Sequence, residues 1–481
     1  MLAIVVQLHQ YFFAVGDPGI GIYLYIAHLW LHGGHLPYVA AWEYKPPGLF
    51  AYIALAIKLS GDRPSIAMHV LVTLSTIATA LLLWRFATAC DARQDDRAGR
   101  FAALFSVLTS SENEGYLGDS EMLAQPFVAA AFLLARIGRS RSDLAALAGL
   151  CAGLALQMKL SLLPIVFVPT LMLLRERNPK TIAAYAGAFV LPIVADVAIY
   201  IRGGALHALV DANVGETVRR LAGLHGGILR ENLPWFGSEL RILAPAVELA
   251  LLAFSRRANA DRLATWGWLA AALISIVGIG EFYDRQFVLI EAPVAVLGGI
   301  GLRCALDTFV RPRRVARAAT VGIFVATFAL HDYWETSQAA QIAYHRMVLR
   351  QRTFKQDEYS ATAAALRRIP AAARSLYLLQ VSPMLYVRTG AAAPTRFPYS
   401  DHLLDPRMTT MIGISGRAEL ERIFATHPAV VVAGKLREPR FDPASVAFVE
   451  SRLRHDYERI AKHPAAIYRL LPSAVPPMRP R

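Results

Sequence analysis

The residues best suited to chemistry lie near the start of the chain, where ionisable side chains follow the first apolar segment. Asp17 stands within the run G-D-P-G, and Glu43 and Lys45 lie within the run W-E-Y-K-P-P-G. The glycines and proline around Asp17 predict a tight turn that holds its carboxylate at a membrane surface. The proline pair disfavours helix just before it, so Glu43 and Lys45 are expected on an extended arm.

These residue types suit transfer chemistry on a phosphate-bearing substrate. A carboxylate such as Asp17 can act as a general base that takes a proton from an acceptor hydroxyl or amine. Lys45 can meet a phosphate, and Glu43 can bind a metal, hold the lysine or orient an acceptor. Two structural roles compete with this interpretation: an ordinary helix-boundary aspartate at 17 and an interfacial lysine at 45.

A second group of acids precedes a later apolar helix and comprises Glu112, Glu114, Asp119 and Glu121. Helix capping explains one residue at 119 or 120, since Asp and Ser are favoured N-caps, but it does not explain four acids in one short loop. Together with Asp17 they are candidate ligands for a divalent cation such as Mg²⁺ or Mn²⁺, although their spacing is not diagnostic.

Two basic residues are expected on the same side of the membrane as these acids. Lys159 interrupts an apolar stretch, and Arg285 lies in the run F-Y-D-R. A lysine and an arginine that converge from different helices could clamp a phosphate group. Pairing of Arg285 with Asp284 or Glu281 is the competing interpretation.

Membrane helices must position these residues, and the composition predicts such helices. The chain is 55% hydrophobic and 18% charged, whereas soluble domains average roughly 25% charged residues. Apolar runs of about 15 to 25 residues recur, each near the length that crosses a ~30 Å hydrocarbon core. About eleven crossings are expected. The net charge of +14 comes from arginines in short connections, which is the pattern of cytoplasmic loops and not of a nucleic-acid-binding surface.

The loop charges predict which parts of the chain lie outside the cytoplasm. These parts are residues 16–63, 112–121, 202–234 and 281–286, and everything after 331. A short apolar stretch at 46–60 is expected to form an interfacial helix. The loop 202–234 is either a helix over the site or a solvated loop. All the candidate site residues then share the outer face.

The sequence predicts three regions. Residues 1–331 form the membrane domain, residues 332–471 an extracytoplasmic α/β domain, and residues 472–481 a proline-rich disordered tail. Within the second region, apolar runs at 376–381, 429–433 and 467–471 predict strands. Amphipathic stretches at 360–368, 417–427 and 445–460 predict helices.

The order of these motifs resembles a known family. The run G-D, then W-E-Y-K-P-P-G, then G-D-S-E ahead of a helix, then Lys159 and F-Y-D-R is similar to bacterial membrane glycosyltransferases of the GT-C fold. The resemblance is to the group of protein O-mannosyltransferases and lipid A aminoarabinose transferases, glycosyltransferase family 39 and its relatives. It covers about residues 10 to 330, and K-P-P after an acid is its most specific part. Pro18 departs from the family, many of whose members have an acid there.

The resemblance implies a sugar donor on a polyprenyl phosphate and an acceptor lipid, glycan or protein at the outer face of a bacterial inner membrane. It implies that Asp17 is the first-loop catalytic aspartate and that Glu43 and Lys45 are the acid and lysine before the prolines. Asp119 and Glu121 fall in the second acidic loop, where Glu121 matches the family's acid. Lys159 and Arg285 fall where the family places basic residues near the lipid phosphate.

Two other classes of function compete with a glycosyltransferase. A transporter or flippase of a lipid-linked glycan needs ionisable residues near the middle of its spans, and Asp196 is the main residue in such a place. A non-catalytic membrane scaffold that displays the soluble domain leaves the polar outer loops unexplained.

Overall fold

A computed structural model describes residues 17–91, 93–110, 118–223, 233–234, 236–237, 244–254, 260–280, 282, 284–309, 358–370, 375–462 and 465–474. Several features predicted from the sequence lie outside these residues. They are the first apolar segment, the acids Glu112 and Glu114, the acid Glu281, the last predicted crossing before 331 and most of the tail.

The described N-terminal part is helical. Its α-helices are α1 (Pro18–Gly33), α2 (Pro47–Leu59), α3 (Pro64–Cys90), α4 (Asp96–Thr109), α5 (Ser120–Ile137), α6 (Ser142–Leu156), α7 (Leu163–Leu174), α8 (Pro179–Arg202), α9 (Leu206–Val210), α10 (Glu216–Gly223), α11 (Ala244–Phe254), α12 (Ala260–Ile279) and α13 (Val288–Phe309). Among the described helices, α3, α5, α8, α12 and α13 are long and apolar enough to cross a membrane. The count of about eleven crossings stays a prediction.

Helix α1 corrects the prediction of a tight turn followed by a long loop. Asp17 is its N-cap, Pro18 occupies the first helical turn, and Gly34 ends it in the left-handed conformation at φ 65°. These are favoured cap and first-turn residues for a helix. The residues that follow, from Ile20 to Ala27, are buried. Tertiary packing therefore stabilises a helix at a position where glycine and proline alone predicted a turn.

Small residues let neighbouring membrane helices approach each other closely. A Cβ at Gly149 of α6 would lie 2.1 Å from the carbonyl oxygen of Tyr185 in α8, and one at Gly153 would lie 2.4 Å from that of Phe189. Such close backbone approach is a main source of helix association in a bilayer, where the hydrophobic effect contributes little.

The C-terminal part is a small α/β unit. Its elements are α14 (Glu358–Leu366), β1 (Leu376–Leu379), α15 (Met384–Thr389), α16 (Asp401–Leu404), α17 (Pro406–Ile412), α18 (Gly416–Ala425), β2 (Val430–Ala433), α19 (Pro443–Asp456), β3 (Tyr457–Ala461) and β4 (Ala466–Leu470). The sheet order is β1-β2-β4-β3, with β1 and β2 parallel and the other pairs antiparallel.

Three predicted strands and three predicted helices are present in this unit. One boundary was wrong: residues 457–460, predicted as the end of a helix, form β3. They pair with β4 across the sheet, a long-range contact that local periodicity does not report. The predicted tail begins with a short 3₁₀ turn at Pro472–Ala474.

The α/β unit packs on helix α1 and on the segment that precedes α2. The rings of Tyr25 and Tyr386 lie 5.6 Å apart, and a Cβ at Gly21 would lie 2.2 Å from Ser382 Oγ. The backbone N–H of Trp42 donates to the carbonyl of Arg396 at 2.7 Å. The unit therefore covers the segment that carries Glu43 and Lys45.

Candidate functional site

Glu43 and Lys45 are buried in a segment without regular secondary structure, each only 3% exposed. The hydroxyl of buried Tyr38 donates to the Lys45 carbonyl at 2.6 Å and fixes the backbone. Pro46 then serves as the N-cap residue of α2, without a side-chain cap. A charged pair so far from solvent needs partners close by, since an uncompensated buried charge is costly.

Asp119 and Arg285 come together across the structure. Arg285 Nη1 donates to Asp119 Oδ2 at 3.1 Å, and Tyr23 donates to Oδ1 at 3.2 Å. Burial raises the pKa of Asp119, but the cations of Arg285, Lys45 and Lys159 outweigh it and hold the pKa well below its usual range. Asp119 is therefore a carboxylate at neutral pH.

Glu121 and Lys159 form a second pair, in which Lys159 Nζ donates to Glu121 Oε1. Glu121 is fully buried, and the hydroxyl of Ser120 donates to its Oε2 at 2.6 Å. Both predicted basic residues thus contact the second acidic group. Arg285 pairs with Asp119, which lies in a different loop.

Asp17 lies at the edge of this group. Its Oδ1 accepts the backbone N–H of Ile20 at 2.8 Å, the bond of a helix N-cap. A Cβ at Gly19 would lie 3.1 Å from that oxygen and 3.3 Å from Arg285 Nη1. Helix capping, one of the two roles expected from the sequence, is therefore present, and the role as a base is a separate proposal.

Tyr44 lies between two cations. Lys45 Nζ is 4.2 Å from the centroid of the Tyr44 ring and 3.1 Å from its hydroxyl. The guanidinium carbon of Arg220, in α10, is 4.6 Å from the same ring. The region 202–234 thus contributes a helix that reaches the segment carrying Glu43 and Lys45, one of the two alternatives expected from the sequence.

One cavity of about 120 Å³, which we name the site cavity, is lined by Glu43, Tyr44, Lys45, Asp119, Glu121, Lys159 and Arg285. The α/β unit closes it with residues that the sequence did not single out: Tyr399, Asp401, Asp405, Arg407, Met408 and Arg440. Arg440 pairs with Asp401 at 2.8 Å and Arg407 with Asp405 at 3.2 Å. Charged residues are common in any soluble domain, so the sequence carried no signal that distinguished these.

Among the described residues that line the site cavity, the formal charges balance. Five are acids and five are bases, namely Glu43, Asp119, Glu121, Asp401 and Asp405 against Lys45, Lys159, Arg285, Arg407 and Arg440. Four of the bases have a carboxylate partner. The described contacts of the fifth, Lys45, are the rings of Tyr23 and Tyr44 and the Tyr44 hydroxyl. Its ammonium is the cation best placed to meet an incoming anion.

No group of three or more His, Cys, Asp or Glu side chains is arranged to hold a metal ion in the described part of the chain. Asp119 and Glu121, proposed from the sequence as cation ligands, both contact basic side chains instead. The predicted divalent cation thus stays an untested hypothesis.

The membrane helices followed by a small α/β unit over a charged cavity define a polytopic protein of the GT-C fold, as the sequence predicted. A solved structure with this architecture is that of ArnT from Cupriavidus metallidurans bound to undecaprenyl phosphate, with a TM-score of 0.63 and 14% identity over 99% of this chain and 98% of ArnT. Apo ArnT gives a TM-score of 0.57 and 13% identity over 98% and 97% of the two chains. No family model and no curated protein sequence matches the chain.

Proposed function

We propose that this protein is a glycosyltransferase that moves a sugar from a polyprenyl-phosphate donor to an acceptor at the outer face of a bacterial inner membrane. The observation that carries the proposal is the site cavity, where Glu43 and Lys45 of the membrane part meet Asp119, Lys159 and Arg285 beneath the α/β unit. The full-length similarity to the fold of ArnT, whose crystal structure contains undecaprenyl phosphate, supports the donor class.

The proposed reaction is a single displacement at the anomeric carbon. The bond from that carbon to the phosphate oxygen breaks, the acceptor oxygen or nitrogen bonds to the carbon, and the acceptor proton passes to a carboxylate. Polyprenyl phosphate leaves with the bonding electrons. The negative charge that develops on its phosphate is stabilised by preorganised cations.

Roles for the residues follow from their contacts. Lys45 binds the departing phosphate, since its described contacts are tyrosines. Lys159 and Arg285 add positive potential to the same region while they hold Glu121 and Asp119. Asp17 and Glu43 are the candidate bases: the carboxylate of Asp17 lies at the cavity edge, and Glu43 lines the cavity.

The topology is part of the proposal. The α/β unit and the site cavity lie outside the cytoplasm, where a donor sugar presented at the outer leaflet can reach them. The variant Arg437→Cys introduces a thiol on the exposed surface of the α/β unit. The accessibility of this thiol tests on which side of the membrane the unit lies. Labelling of intact spheroplasts by a membrane-impermeant maleimide is expected, and labelling only after lysis would contradict it.

The activity test uses purified protein in liposomes with polyprenyl-phosphate sugars and an envelope-lipid extract as acceptor. We expect transfer by the unaltered protein and a loss of roughly a hundredfold or more for Lys45→Met and Glu43→Gln. Arg437→Ala, on the exposed surface of the α/β unit, is the control. The same liposomes report lipid movement with a labelled donor, so movement without covalent transfer would support the transporter alternative. Chelation by EDTA tests the divalent-cation proposal separately.

A further inference from the structure

A second cavity, of about 600 Å³, lies within the α/β unit and against helix α1. We name it the sheet-edge cavity. It opens where the parallel strands β1 and β2 end, beside Gln380–Ser382 and Gly434–Lys435, and where β4 begins at Ala466. Ligands of open α/β sheets bind outside the carboxyl ends of parallel strands, and the volume falls within the range of small-molecule sites, about 300–1,000 Å³.

The lining of the sheet-edge cavity carries polar groups suited to an anion. Lys435 and Lys462 stand at its rim, and both are exposed. Among the described residues that line it, the one acid is Glu438, which pairs with Arg440 at 3.0 Å. Ser382, which also lines the cavity, is only 2% exposed and packs against Gly21 of α1.

The backbone at the end of β1 is strained. Gln380 has φ 54°, in the left-handed region that non-glycine residues rarely adopt. Its N–H donates to Ser400 Oγ at 2.7 Å, and its side-chain amide donates to Asp401. Strain of this kind persists where surrounding contacts hold it, and it clusters at binding sites.

The two cavities adjoin through residues already described. Pro18 lines the sheet-edge cavity, while Gly19, beside the Asp17 carboxylate, lines the site cavity. Asp401 of the site cavity is held by Gln380 of the sheet-edge cavity. Arg440 links Asp401 to Glu438 in the same way. Asp17 therefore stands between the two cavities.

We propose that the sheet-edge cavity binds the acceptor through an anionic, hydroxylated group such as a sugar phosphate, which delivers the acceptor nucleophile toward Asp17. The identification of the ligand as the acceptor rests on the proposed function, whereas the anion site itself rests on the sheet-edge cavity alone. Lys435 and Lys462 bind the anion. The same chemistry is available from a soluble glycan and from a lipid headgroup.

The test measures binding to the full chain in phosphatidylcholine nanodiscs. The probes are glucose 1-phosphate, uncharged glucose and soluble dihexanoyl phosphatidylglycerol. We expect saturable binding of a phosphate probe, at least tenfold tighter than glucose, because hydrogen bonds to charged groups are the strong ones. Tighter binding of the phosphosugar assigns a glycan source, and tighter binding of the short lipid assigns a headgroup.

The variants distinguish binding in the sheet-edge cavity from attraction of the anion to the overall positive charge of the protein. Lys435→Ala/Lys462→Ala is expected to weaken binding roughly tenfold or more. The control, Arg437→Ala/Arg469→Ala, removes the same charge from exposed ion pairs of the α/β unit and should leave the affinity unchanged. Equal binding by the lysine variant and the control, or no binding of either phosphate probe, would overturn the proposal.

Transfer kinetics keep the anion site and the proposed function distinguishable. If both hold, the lysine variant raises the acceptor KM while kcat and the slow hydrolysis of donor by water stay near those of the unaltered protein. Binding without any transfer or hydrolysis would defeat the proposed function and leave the anion site standing. Transfer with an unchanged acceptor KM in the lysine variant would defeat the acceptor assignment.

Discussion

His402 of the α/β unit lies against Glu43 of the membrane part, with His402 Nε2 and Glu43 Oε2 3.5 Å apart. The imidazole is fully buried, and the rings of Trp42 and Tyr399 lie 5.0 Å and 5.2 Å from it, both edge-on. Neither ring nitrogen makes a hydrogen bond in the described structure. The Glu43 carboxylate in the site cavity thus contacts a residue from the other part of the chain.

Replacing His402 by Ala should remove this contact between the α/β unit and the membrane part. The lost ring leaves a cavity among aromatic side chains, and we expect a loss of about 2–4 kcal/mol in stability. Thermal unfolding in detergent measures it. His402→Phe keeps most of the volume, so a smaller loss of stability is expected, with transfer activity still reduced because Glu43 loses its polar neighbour.

The exposed His455 of α19 supplies the matched control. Its replacement by Ala should change stability by less than about 0.5 kcal/mol, as for most surface positions. If His402→Ala behaved like His455→Ala in both assays, the contact with Glu43 would contribute neither to stability nor to transfer activity.

The buried pair of Glu121 and Lys159 predicts strong coupling between the two residues. Removing one partner leaves the other charge buried, which costs about 3–5 kcal/mol. Glu121→Gln and Lys159→Met should each destabilise the protein to this extent. The double variant should be far less destabilised than the sum of the two, because replacing a whole buried pair is often nearly neutral.

A double-mutant cycle on thermal or denaturant unfolding measures this coupling. Arg141 and Asp143 form an exposed pair at 2.6 Å and serve as the control cycle, for which a coupling of about 1 kcal/mol or less is expected. Additive effects in the Glu121–Lys159 cycle would show that the two charges do not depend on each other.

The local features of the site were predictable from the sequence, while its assembly was not. Proline and apolar patterns predicted a non-helical arm at Glu43 and Lys45 and a helix after Asp119, because both depend on neighbouring residues. The partner of Arg285 depends on which helices meet. The sequence offered Asp284 and Glu281, and the structure shows Asp119 from another loop as a partner.

The contribution of the α/β unit shows the same limit. Its strands were predicted from short apolar runs, since burial on both faces leaves that signature. The residues that it places in the site cavity, Asp401 and Arg440 among them, lie between those elements and have no local pattern of their own. At Asp17 the local pattern was ambiguous, because glycine and proline mark both turns and helix starts.

The depressed pKa of Asp119 predicts a pH dependence of stability. Its folded pKa lies below the unfolded value, about 3.9, because Arg285, Lys45 and Lys159 outweigh burial. The carboxylate therefore stabilises the fold at pH values above about 4, and this contribution is lost as the pH falls toward the folded pKa. The stability difference between the unaltered protein and Asp119→Asn should shrink as the pH is lowered from 6 to 3.

Unfolding midpoints at several pH values measure that difference. Asp143→Asn, at an exposed ion pair, should show a small difference at every pH, since exposed pairs contribute little. A gap between the unaltered protein and Asp119→Asn that stayed constant down to pH 3 would mean that the ionised carboxylate is not what stabilises the contact with Arg285.

The two roles of Asp17, as a helix cap and as a proposed base, can be separated by the choice of substitution. Asp17→Ala removes both the cap and the carboxylate, and loss of the cap alone costs about 0.5–2 kcal/mol. Asp17→Ser retains a good N-cap oxygen for the N–H of Ile20 but has no basic carboxylate. We therefore expect Asp17→Ser to unfold near the midpoint of the unaltered protein.

If Asp17 takes the acceptor proton, Asp17→Ser and Asp17→Ala should lose transfer equally, by roughly a hundredfold or more, although only Asp17→Ala loses stability. If Asp17 acts only as a cap of α1, Asp17→Ser should transfer at nearly the full rate. In that case Glu43, which lines the site cavity, would be the remaining candidate base, and Glu43→Gln in the same liposomes would decide it. Measuring stability and transfer on the same preparations keeps a folding defect from being mistaken for a catalytic one.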